Sequence, residues 1–385
     1  MSDTPPATIL IVDDARLNRA LLETKLAGEG YRFVQAANGQ EAVARLADNP
    51  EIDLILLDLI MPGMDGYAFL QWRASNPRAQ KVPVIVNSSL DDFDSIVRAL
   101  QMDSYDYFTK PLSDDDLRYI LPLKIRNAVN SKRLMEETTR QNEMMQQELD
   151  LAARYQGFLL PDDSDLPGVR ITFHFQPCSK VGGDYFDFLE IGQDKVGFVV
   201  ADVSGHGVAA AMTASIVKAL LPGYLAGQGS PGRALEALND DLVRLTQEDS
   251  FVTCFAAIYD RPRQVLTWST AGHPPAIFLR PGRQPEQLVY SSMFLGVFAS
   301  DQVEVAYADQ ALPVAAGDRL VLYTDGLTEN PNPAGEQFGL QRLEKIVAQG
   351  GNKTIEELKR YLQASLVEFS RGVFPDDVAI ILAEF

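Results

Sequence analysis

The chain has 385 residues, 46% of them hydrophobic and 23% charged, with a formal net charge of −19. This length predicts two or three domains with ordinary apolar cores, and the negative charge argues against binding nucleic acid or an anionic membrane through bulk charge. We expect no signal peptide and no stretch near the ~20 apolar residues of a membrane span. We interpret Cys178 and Cys254 as free thiols, with one disulfide as the alternative, and free thiols predict a cytoplasmic protein.

Strand-like and helical patterns alternate in residues 1–120. The apolar runs lie at 8–12, 31–34, 53–57, 82–86 and 105–108, with helical segments at 16–29 and 39–47. This alternation predicts a doubly wound, flavodoxin-like parallel sheet, whose site lies at the carboxyl ends of the strands.

Polar side chains follow the strands of this predicted sheet. They are Asp13, Asp14, Asp58, Ser88 and Lys110. Asp13 and Asp14 suit a divalent cation beside Asp58, which suits a nucleophile that accepts a phosphoryl group. Ser88 and Lys110 suit the binding of the incoming oxygens, and Lys110 also suits an ion pair with Asp58. A turn or a helix cap is the alternative for any one of these residues alone, but not for five at strand ends.

The same segment resembles the receiver domain of two-component response regulators. The matching motifs are Ile-Leu-Ile-Val-Asp-Asp at 9–14, Leu-Leu-Asp-Leu-Ile-Met-Pro-Gly-Met-Asp-Gly at 56–66 and Asp-Tyr-Phe-Thr-Lys-Pro at 106–111. The resemblance implies Mg²⁺-dependent phosphorylation of Asp58 by a sensor histidine kinase or a phosphotransfer protein. It also implies Ser88 and Tyr107 as a switch pair, with an ordinary half-buried strand tyrosine as the alternative for Tyr107. The chain departs from the family at Asp103-Ser104, where Gly-Ala is usual.

Residues 121–160 predict a helical linker. Between 125 and 155 the apolar residues recur roughly as in a long amphipathic helix, and charged and amide side chains fill the other faces. Two interpretations remain open. The helix either pairs with a second copy as a coiled coil, which gives a homodimer, or lies as a monomeric helix against a domain. Polar residues at 138–142 interrupt the apolar seam.

Strand and helix patterns are segregated in residues 161–385. Strands are predicted at 195–201, 251–259, 264–269, 275–279, 319–323 and 378–382, and helices at 208–218, 233–247, 338–343 and 355–369. This segregation predicts an α/β sandwich, in which two antiparallel sheets stack and the helices lie outside.

Four aspartates stand at the ends of these strands: Asp184, Asp202, Asp325 and Asp376. A hairpin would bring Asp184 and Asp202 together, and two close carboxylates repel unless a proton or a hard cation lies between them. The neighbouring glycines allow a close approach of the backbone, and Val203 offers a carbonyl oxygen. Turn formation is the alternative for any one aspartate, but four such acids favour an oxygen-only site for one or two Mg²⁺ or Mn²⁺ ions.

The motifs of this segment resemble the PPM-type, metal-dependent Ser/Thr phosphatases of the SpoIIE/RsbU-like branch. They are Leu-Leu-Pro at 159–161, Val-Gly-Gly-Asp-Tyr-Phe-Asp at 181–187, Ala-Asp-Val-Ser-Gly-His-Gly at 201–207, Ala-Gly-His-Pro-Pro at 271–275, Tyr-Thr-Asp-Gly-Leu-Thr-Glu at 323–329 and Asp-Asp at 376–377. The resemblance implies the four strand-end aspartates and the Val203 carbonyl as ligands of two Mn²⁺ or Mg²⁺ ions. It implies Asp377 as an auxiliary ligand or as a residue that supports the ligands without binding the ions. Lys180, His206 and His273 are weaker candidates for phosphate contact or acid catalysis.

Together the resemblances imply a response regulator in a phosphorelay. Phosphorylation at Asp58 would control a phosphatase that acts on a phosphoserine protein, such as an anti-sigma-factor antagonist, and hence regulates a sigma factor. The order of the domains also resembles RssB-type adaptors, which bind the stationary-phase sigma factor for proteolysis and use the phosphatase-like domain as a scaffold. The four retained acids favour an enzyme over a scaffold. A transcription factor lacks support, since no basic patch or helix-turn-helix module follows the receiver-like segment.

Overall fold

The computed structural model describes residues 6–89, 97, 98, 100–161, 165–246, 250–299 and 307–385, and it describes Ser88 and Ser89 by their backbone only. The chain divides into two compact units, Met1–Met145 and Gln146–Phe385.

The first unit is built on a five-stranded parallel sheet. Its strands are β1 (Thr8–Val12), β2 (Arg32–Ala36), β3 (Ile52–Asp58), β4 (Val84–Ser89) and β5 (Asp106–Lys110), in the order β2-β1-β3-β4-β5, and its first helices are α1 (Arg16–Leu26), α2 (Gly39–Asp48) and α3 (Gly66–Ala74). Every residue of β1 is buried, as expected for a parallel strand that is covered by helices on both faces. The predicted doubly wound sheet is therefore confirmed.

A single helix, α4 (Leu121–Gly157), runs through the predicted linker. Its buried side chains all lie between Leu121 and Val129 and pack against the parallel sheet. Just beyond them, Lys132 pairs with Asp53 at 3.0 Å, and Asp53 also accepts the backbone N–H of Thr8 at 3.1 Å. The long helix is confirmed, whereas its pairing with a second copy stays a prediction.

The second unit contains two five-stranded antiparallel sheets. The β8 sheet has the order β13-β10-β9-β8-β7 and the β14 sheet has the order β12-β11-β14-β15-β6. The strands are β6 (Arg170–Gln176), β7 (Tyr185–Ile191), β8 (Lys195–Val203), β9 (Val252–Asp260), β10 (Val265–Ala271), β11 (Ala276–Leu279), β12 (Glu286–Leu288), β13 (Gln310–Pro313), β14 (Arg319–Tyr323) and β15 (Val378–Glu384). A buried apolar cluster joins residues of both sheets, so the predicted sandwich is confirmed.

Helices cover the outer faces of the sandwich. They are α5 (Val208–Gln228), α6 (Pro231–Leu245), the one-turn α7 (Asp325–Thr328), α8 (Leu340–Gln349) and α9 (Ile355–Ser370). The first two pack on the β8 sheet in one apolar cluster, and the last two pack on the β14 sheet in another. The sequence predicted all four longer helices, but it placed the end of α5 at residue 218, ten residues before the observed end.

Helix α5 corrects one expectation from the sequence. A window of 18 residues within this 21-residue helix has a mean hydropathy of 1.5, so its length and composition match those of a membrane span, although no such stretch was expected. Alanines, glycines, Pro222 and Lys218 separate its large apolar residues, so the sequence shows no continuous run of them. Ala214, Val217 and Leu221 are buried in the core between α5 and the β8 sheet. The apolar face of α5 is therefore part of the protein core.

Candidate active sites

Three aspartates meet at the carboxyl ends of β1 and β3. One carboxylate oxygen from each of Asp13, Asp14 and Asp58 lies within 4.8 Å of the other two. Asp13 and Asp58 are buried, and Asp14 is exposed. The structure thus brings together three predicted site residues, and their oxygen donors suit Mg²⁺.

Lys110 approaches this group from the end of β5. Its Nζ lies 2.6 Å from Asp58 Oδ2 and 2.9 Å from Asp13 Oδ2. Burial raises the pKa of the Asp58 carboxyl, and the hydrogen bond and charge of Lys110 offset this only in part. Burial lowers the pKa of Lys110, but hydrogen bonds to Asp58 and Asp13 outweigh it, so the pKa of the lysine is raised. The predicted ion pair with Asp58 is present.

The sequence analysis missed two residues of this site. Asn18 Nδ2 donates to both oxygens of Asp13 at 3.1 Å, and Arg19 Nη1 donates to the Asp13 carbonyl at 2.6 Å. Both residues lie in the first turn of α1, which begins three residues after Asp13. Their position just after the strand end was the only available signal, and it does not distinguish them from solvated side chains.

The predicted switch pair is only partly described. Tyr107 is half-buried on β5, where Lys124 Nζ lies 5.5 Å from the centre of its ring. The backbone of Ser88 pairs with that of Thr109, but the Ser88 side chain lies outside the described residues. The role of Ser88 and Tyr107 therefore stays a prediction.

Asp103 stands where the receiver family usually has glycine, and its backbone explains that preference. Its φ is 63°, in the left-handed region that favours glycine. Arg73 Nη1 donates to the Asp103 carbonyl at 3.2 Å, and Arg73 Nε donates to the Val82 carbonyl at 3.0 Å. The buried guanidinium of Arg73 thus holds this turn in place.

In the second unit, Asp184 and Asp202 lie at one edge of the β8 sheet. Strands β7 and β8 pair in antiparallel register with Tyr185 opposite Ala201, so the two aspartates extend from adjacent strand ends. The predicted hairpin is therefore confirmed. A Cβ on Gly183 would lie 2.9 Å from the Val203 carbonyl oxygen, which explains why glycine precedes Asp184.

The β14 sheet contributes the remaining acids. Asp325 is the first residue of α7 and lies one residue beyond the Thr324 that follows β14, and Asp376 and Asp377 precede the adjacent strand β15. Burial raises the pKa of Asp202 to about 7, and the negative charges of Asp325 and Asp376 add to this effect. The structure therefore brings five predicted residues into one group, which we call the acid cluster: Asp184, Asp202, Asp325, Asp376 and Asp377.

The pKa values of the other acids are shifted in the same direction. Burial, followed by the charge of Asp202, raises the pKa of Asp184 well above its usual range. Burial, followed by the charge of Asp376, raises the pKa of Asp325 to about 6. Burial also raises the pKa of Asp376, and the charge of nearby His206 acts against it. This mutual repulsion is relieved by protons or by hard divalent cations, so the oxygen donors of the cluster fit Mg²⁺ or Mn²⁺.

The carboxylate of Asp377 accepts backbone hydrogen bonds from a loop that is distant in the sequence. Oδ1 accepts the N–H of Cys178 at 2.8 Å, and Oδ2 accepts the N–H of Gly183 at 2.7 Å. The side chain is 4% exposed. Asp377 thus holds the loop that leads to Asp184, a contact that suits the supporting role among the two expected for it.

Thr324 is a further residue that the sequence analysis missed. Its hydroxyl donates to Asp184 Oδ2 at 2.7 Å and accepts the backbone N–H of Ala379 at 2.9 Å. It is fully buried. One side chain therefore links Asp184 to the β14 sheet. The only signal in the sequence was its place directly before Asp325.

Two of the three weaker candidates, His273 and Lys180, have structural partners. His273 Nδ1 lies 2.8 Å from Thr253 Oγ1, and its Nε2 lies 3.0 Å from the Tyr323 carbonyl. Burial lowers the pKa of His273 to about 3, so its ring is neutral, with Nε2 donating to the carbonyl. Lys180 Nζ pairs with Asp150 at 2.5 Å. These contacts favour a structural role for His273 and Lys180 over phosphate contact or acid catalysis.

Comparison with known proteins gives matches to both units. The sequence model of Stage II sporulation protein E matches residues 192–385, and that of the response regulator receiver domain matches residues 9–121. The chain is 33% identical over 175 residues to the response regulator PleD of Caulobacter vibrioides. It is 25% identical over 241 residues to the phosphoserine phosphatase RsbU of Bacillus subtilis.

These relatives are matched over different shares of their length. The match covers 43% of this chain and 37% of PleD, and 61% of this chain and 69% of RsbU. Among solved structures, the SiaA-PP2C domain of Pseudomonas aeruginosa superposes with a TM-score of 0.57 at 21% identity, covering 63% of this chain and 98% of that domain. At this identity the superposition establishes the fold of the second unit.

Proposed function

Because the chain belongs to the Stage II sporulation protein E family, whose sequence model matches just over half of it, we propose that the second unit is a metal-dependent protein Ser/Thr phosphatase of the PPM type. One observation carries this proposal: carboxylates from the ends of both sheets converge in the acid cluster. A domain that serves only as a scaffold has no need of this convergence, because the mutual repulsion of the acids destabilises it.

In this proposal, Asp184, Asp202, Asp325, Asp376 and the Val203 carbonyl hold two Mn²⁺ or Mg²⁺ ions. Such ions supply Lewis acidity and an activated water for the hydrolysis of a phosphoester. Asp377 and Thr324 position the ligands. Asp377 holds the loop before Asp184, and Thr324 orients the Asp184 carboxylate. A phosphate group is repelled by the unscreened acid cluster, so we expect the substrate to bind only when cations are bound.

In this proposal the first unit regulates the phosphatase. We propose that Asp58 accepts a phosphoryl group from a sensor histidine kinase or phosphotransfer protein, with Mg²⁺ held by Asp13, Asp14 and Asp58. Lys110, which already contacts Asp58 and Asp13, would bind a phosphoryl oxygen. Ser88 and Tyr107 would report the phosphorylated state. The match of residues 9–121 to the receiver domain supports this role.

The name of one relative supports a class of substrate. RsbU is named a phosphoserine phosphatase, which supports a phosphoserine protein, such as an anti-sigma-factor antagonist, as the substrate of this chain. The chain would then regulate a sigma factor in the cytoplasm. A homodimer formed through α4 is part of the proposal, because Leu134, Met135, Met144 and Met145 on that helix are exposed.

The proposal is tested by Mn²⁺-dependent release of phosphate from a phosphoserine peptide, with and without acetyl phosphate. Asp202→Asn removes a carboxylate from the acid cluster and is expected to abolish turnover. Asp194→Asn, at an exposed turn between β7 and β8, is the matched control and should retain it. No turnover of the unsubstituted protein under any of these conditions would contradict the enzyme and favour the adaptor.

A further inference from the structure

Gln156, near the end of α4, pairs with both backbone polar groups of Gly182. Its Nε2 donates to the Gly182 carbonyl at 2.6 Å, and the Gly182 N–H donates to its Oε1 at 3.0 Å. The side-chain amide thus repeats the two-bond pairing of residues on neighbouring antiparallel strands. Gly182 lies two residues before Asp184, so α4 is bonded to the loop that carries a member of the acid cluster.

The opposite side of this loop is held by the acid cluster itself. Asp377 accepts the N–H groups of Cys178 and Gly183, and a Cβ on Gly182 would lie 2.2 Å from Asp377 Oδ2. Gly182 is therefore packed between Gln156 and Asp377. A displacement of the end of α4 is transmitted to the loop through the Gln156 amide, whose two hydrogen bonds to the Gly182 backbone fix its orientation.

The remainder of this helix end is weakly attached. No residue between 146 and 157, all of which the structure describes, is buried. The ion pair between Asp150 and Lys180 also reaches this loop, but both side chains are about half exposed, so solvent screens the interaction. Gly182 is buried and Gln156 is half-buried, which makes their pair the better protected attachment.

We propose that Gln156 is a positioning residue for the cation site of the second unit. Through Gly182 it holds Asp184 in the acid cluster, so the position of the end of α4 sets the affinity for divalent cations. This inference rests on the proposed function, since it assigns Asp184 to a cation. The amide is required because it donates and accepts at once. A glutamate lacks the donor and adds a negative charge beside the Gly182 carbonyl.

The test measures Mn²⁺ binding to the full chain by isothermal titration calorimetry. Only binding that is lost in Asp202→Asn is assigned to the second unit, because the first unit has its own candidate cation site. Gln156→Ala and Gln156→Glu are expected to weaken binding by about 10-fold, as is usual when a residue that supports a metal ligand is lost. Gln147→Ala, at an exposed position of the same helix, is the matched control and should bind as the unsubstituted protein does. Hydrogen exchange of the amides at 178–184 is measured in the metal-free proteins, where Gln156→Ala should exchange faster.

The outcomes separate this inference from the proposed function. If the unsubstituted protein and Gln156→Ala bind Mn²⁺ equally and exchange equally, the positioning role is overturned while the phosphatase proposal stands. If the unsubstituted protein binds no Mn²⁺, the cation site is refuted, and this inference fails with it. Matching thermal unfolding of Gln156→Ala and Gln147→Ala shows that any difference between them is local.

Discussion

The hydroxyl of Thr324 and the carboxylate of Asp184 form a buried 2.7 Å hydrogen bond that joins the two sheets of the second unit. Thr324 follows β14, whereas Asp184 precedes β7. The same hydroxyl accepts the N–H of Ala379 on β15. Orientation of one carboxylate in the acid cluster therefore depends on a side chain that carries no charge.

Thr324→Val is expected to weaken Mn²⁺ binding by about 10-fold and to reduce the free energy of unfolding by about 1–3 kcal/mol. Valine keeps the shape of threonine but leaves the Ala379 N–H without its partner and Asp184 without its donor. Titration calorimetry and urea unfolding measure the two effects. Thr324→Ser keeps the hydroxyl and should retain binding. Equal binding by all three proteins would show that this hydrogen bond has no part in the cation site.

The metal-free protein should become more stable as the pH falls from 8 to 5. The pKa of Asp202 is raised to about 7 in the folded state by burial and by the charges of Asp325, Asp376, Asp377 and Glu329. The folded state therefore binds a proton more tightly than the unfolded state, so stability is lost as the pH rises through that range. Asp202→Asn removes the buried negative charge that destabilises the folded state, and it should stabilise the metal-free protein by roughly 2 kcal/mol at pH 8.

Urea unfolding of the metal-free proteins at both pH values measures this effect. The difference between Asp202→Asn and the unsubstituted protein should shrink at pH 5, where the Asp202 carboxyl is already protonated in the folded state. A difference of the same size at both pH values would mean that the repulsion in the acid cluster is not responsible. With saturating Mn²⁺ at pH 8, the unsubstituted protein should be more stable than Asp202→Asn, because the variant has lost a carboxylate ligand.

Asp58→Asn should abolish phosphorylation of the first unit by acetyl phosphate. The amide keeps the size of the carboxylate but cannot act as the nucleophile, and it no longer pairs with Lys110 as a charge. Phosphate-affinity electrophoresis measures the modified fraction. Asp48→Asn, at the exposed end of α2, should be modified as the unsubstituted protein is. Persistent modification of Asp58→Asn would place the acceptor at another residue.

Self-association through α4 should be lost in the double variant Leu134→Asp and Met145→Asp. Both side chains are exposed in the helix, and charges in an apolar seam oppose its pairing with a second copy. Light scattering measures the mass. Deletion of residues 125–155 is less informative, because Ile125 and Val129 belong to the core of the first unit. Asn142→Asp changes an exposed polar position and should leave the mass unchanged. A monomeric mass for the unsubstituted protein would exclude the coiled coil.

The sequence predicted the convergence of the acids because strand ends are visible in it. An apolar run stops at Asp58, at Asp202 and before Asp325, and hydrophobic periodicity alone locates these ends. Once the strands are assigned to a parallel or an antiparallel sheet, the side chains at their adjacent ends are expected to lie close together. The architecture and the grouping of the acids thus follow from local patterns.

The supporting contacts could not be predicted in this way. Thr324 and Asp184 are separated by 140 positions, and Cys178 and Asp377 by 199. A buried hydroxyl or amide has no periodicity that distinguishes it from a solvated one, so its partner emerges only when the backbone is folded. Gln156 is one of several glutamines on α4, and nothing in its surrounding sequence sets it apart.

The burial of α5 has a consequence for how the chain folds while it is being synthesised. Its core partners include Val252 and Ala256 on β9 and Ala271 on β10, all of which leave the ribosome after it. During the few seconds needed to translate this interval, the apolar face of α5 lacks these partners. Nascent chains that stop near residue 246 should therefore depend on chaperones and aggregate readily, whereas chains from which Leu295 and Tyr307 have also emerged can complete this core.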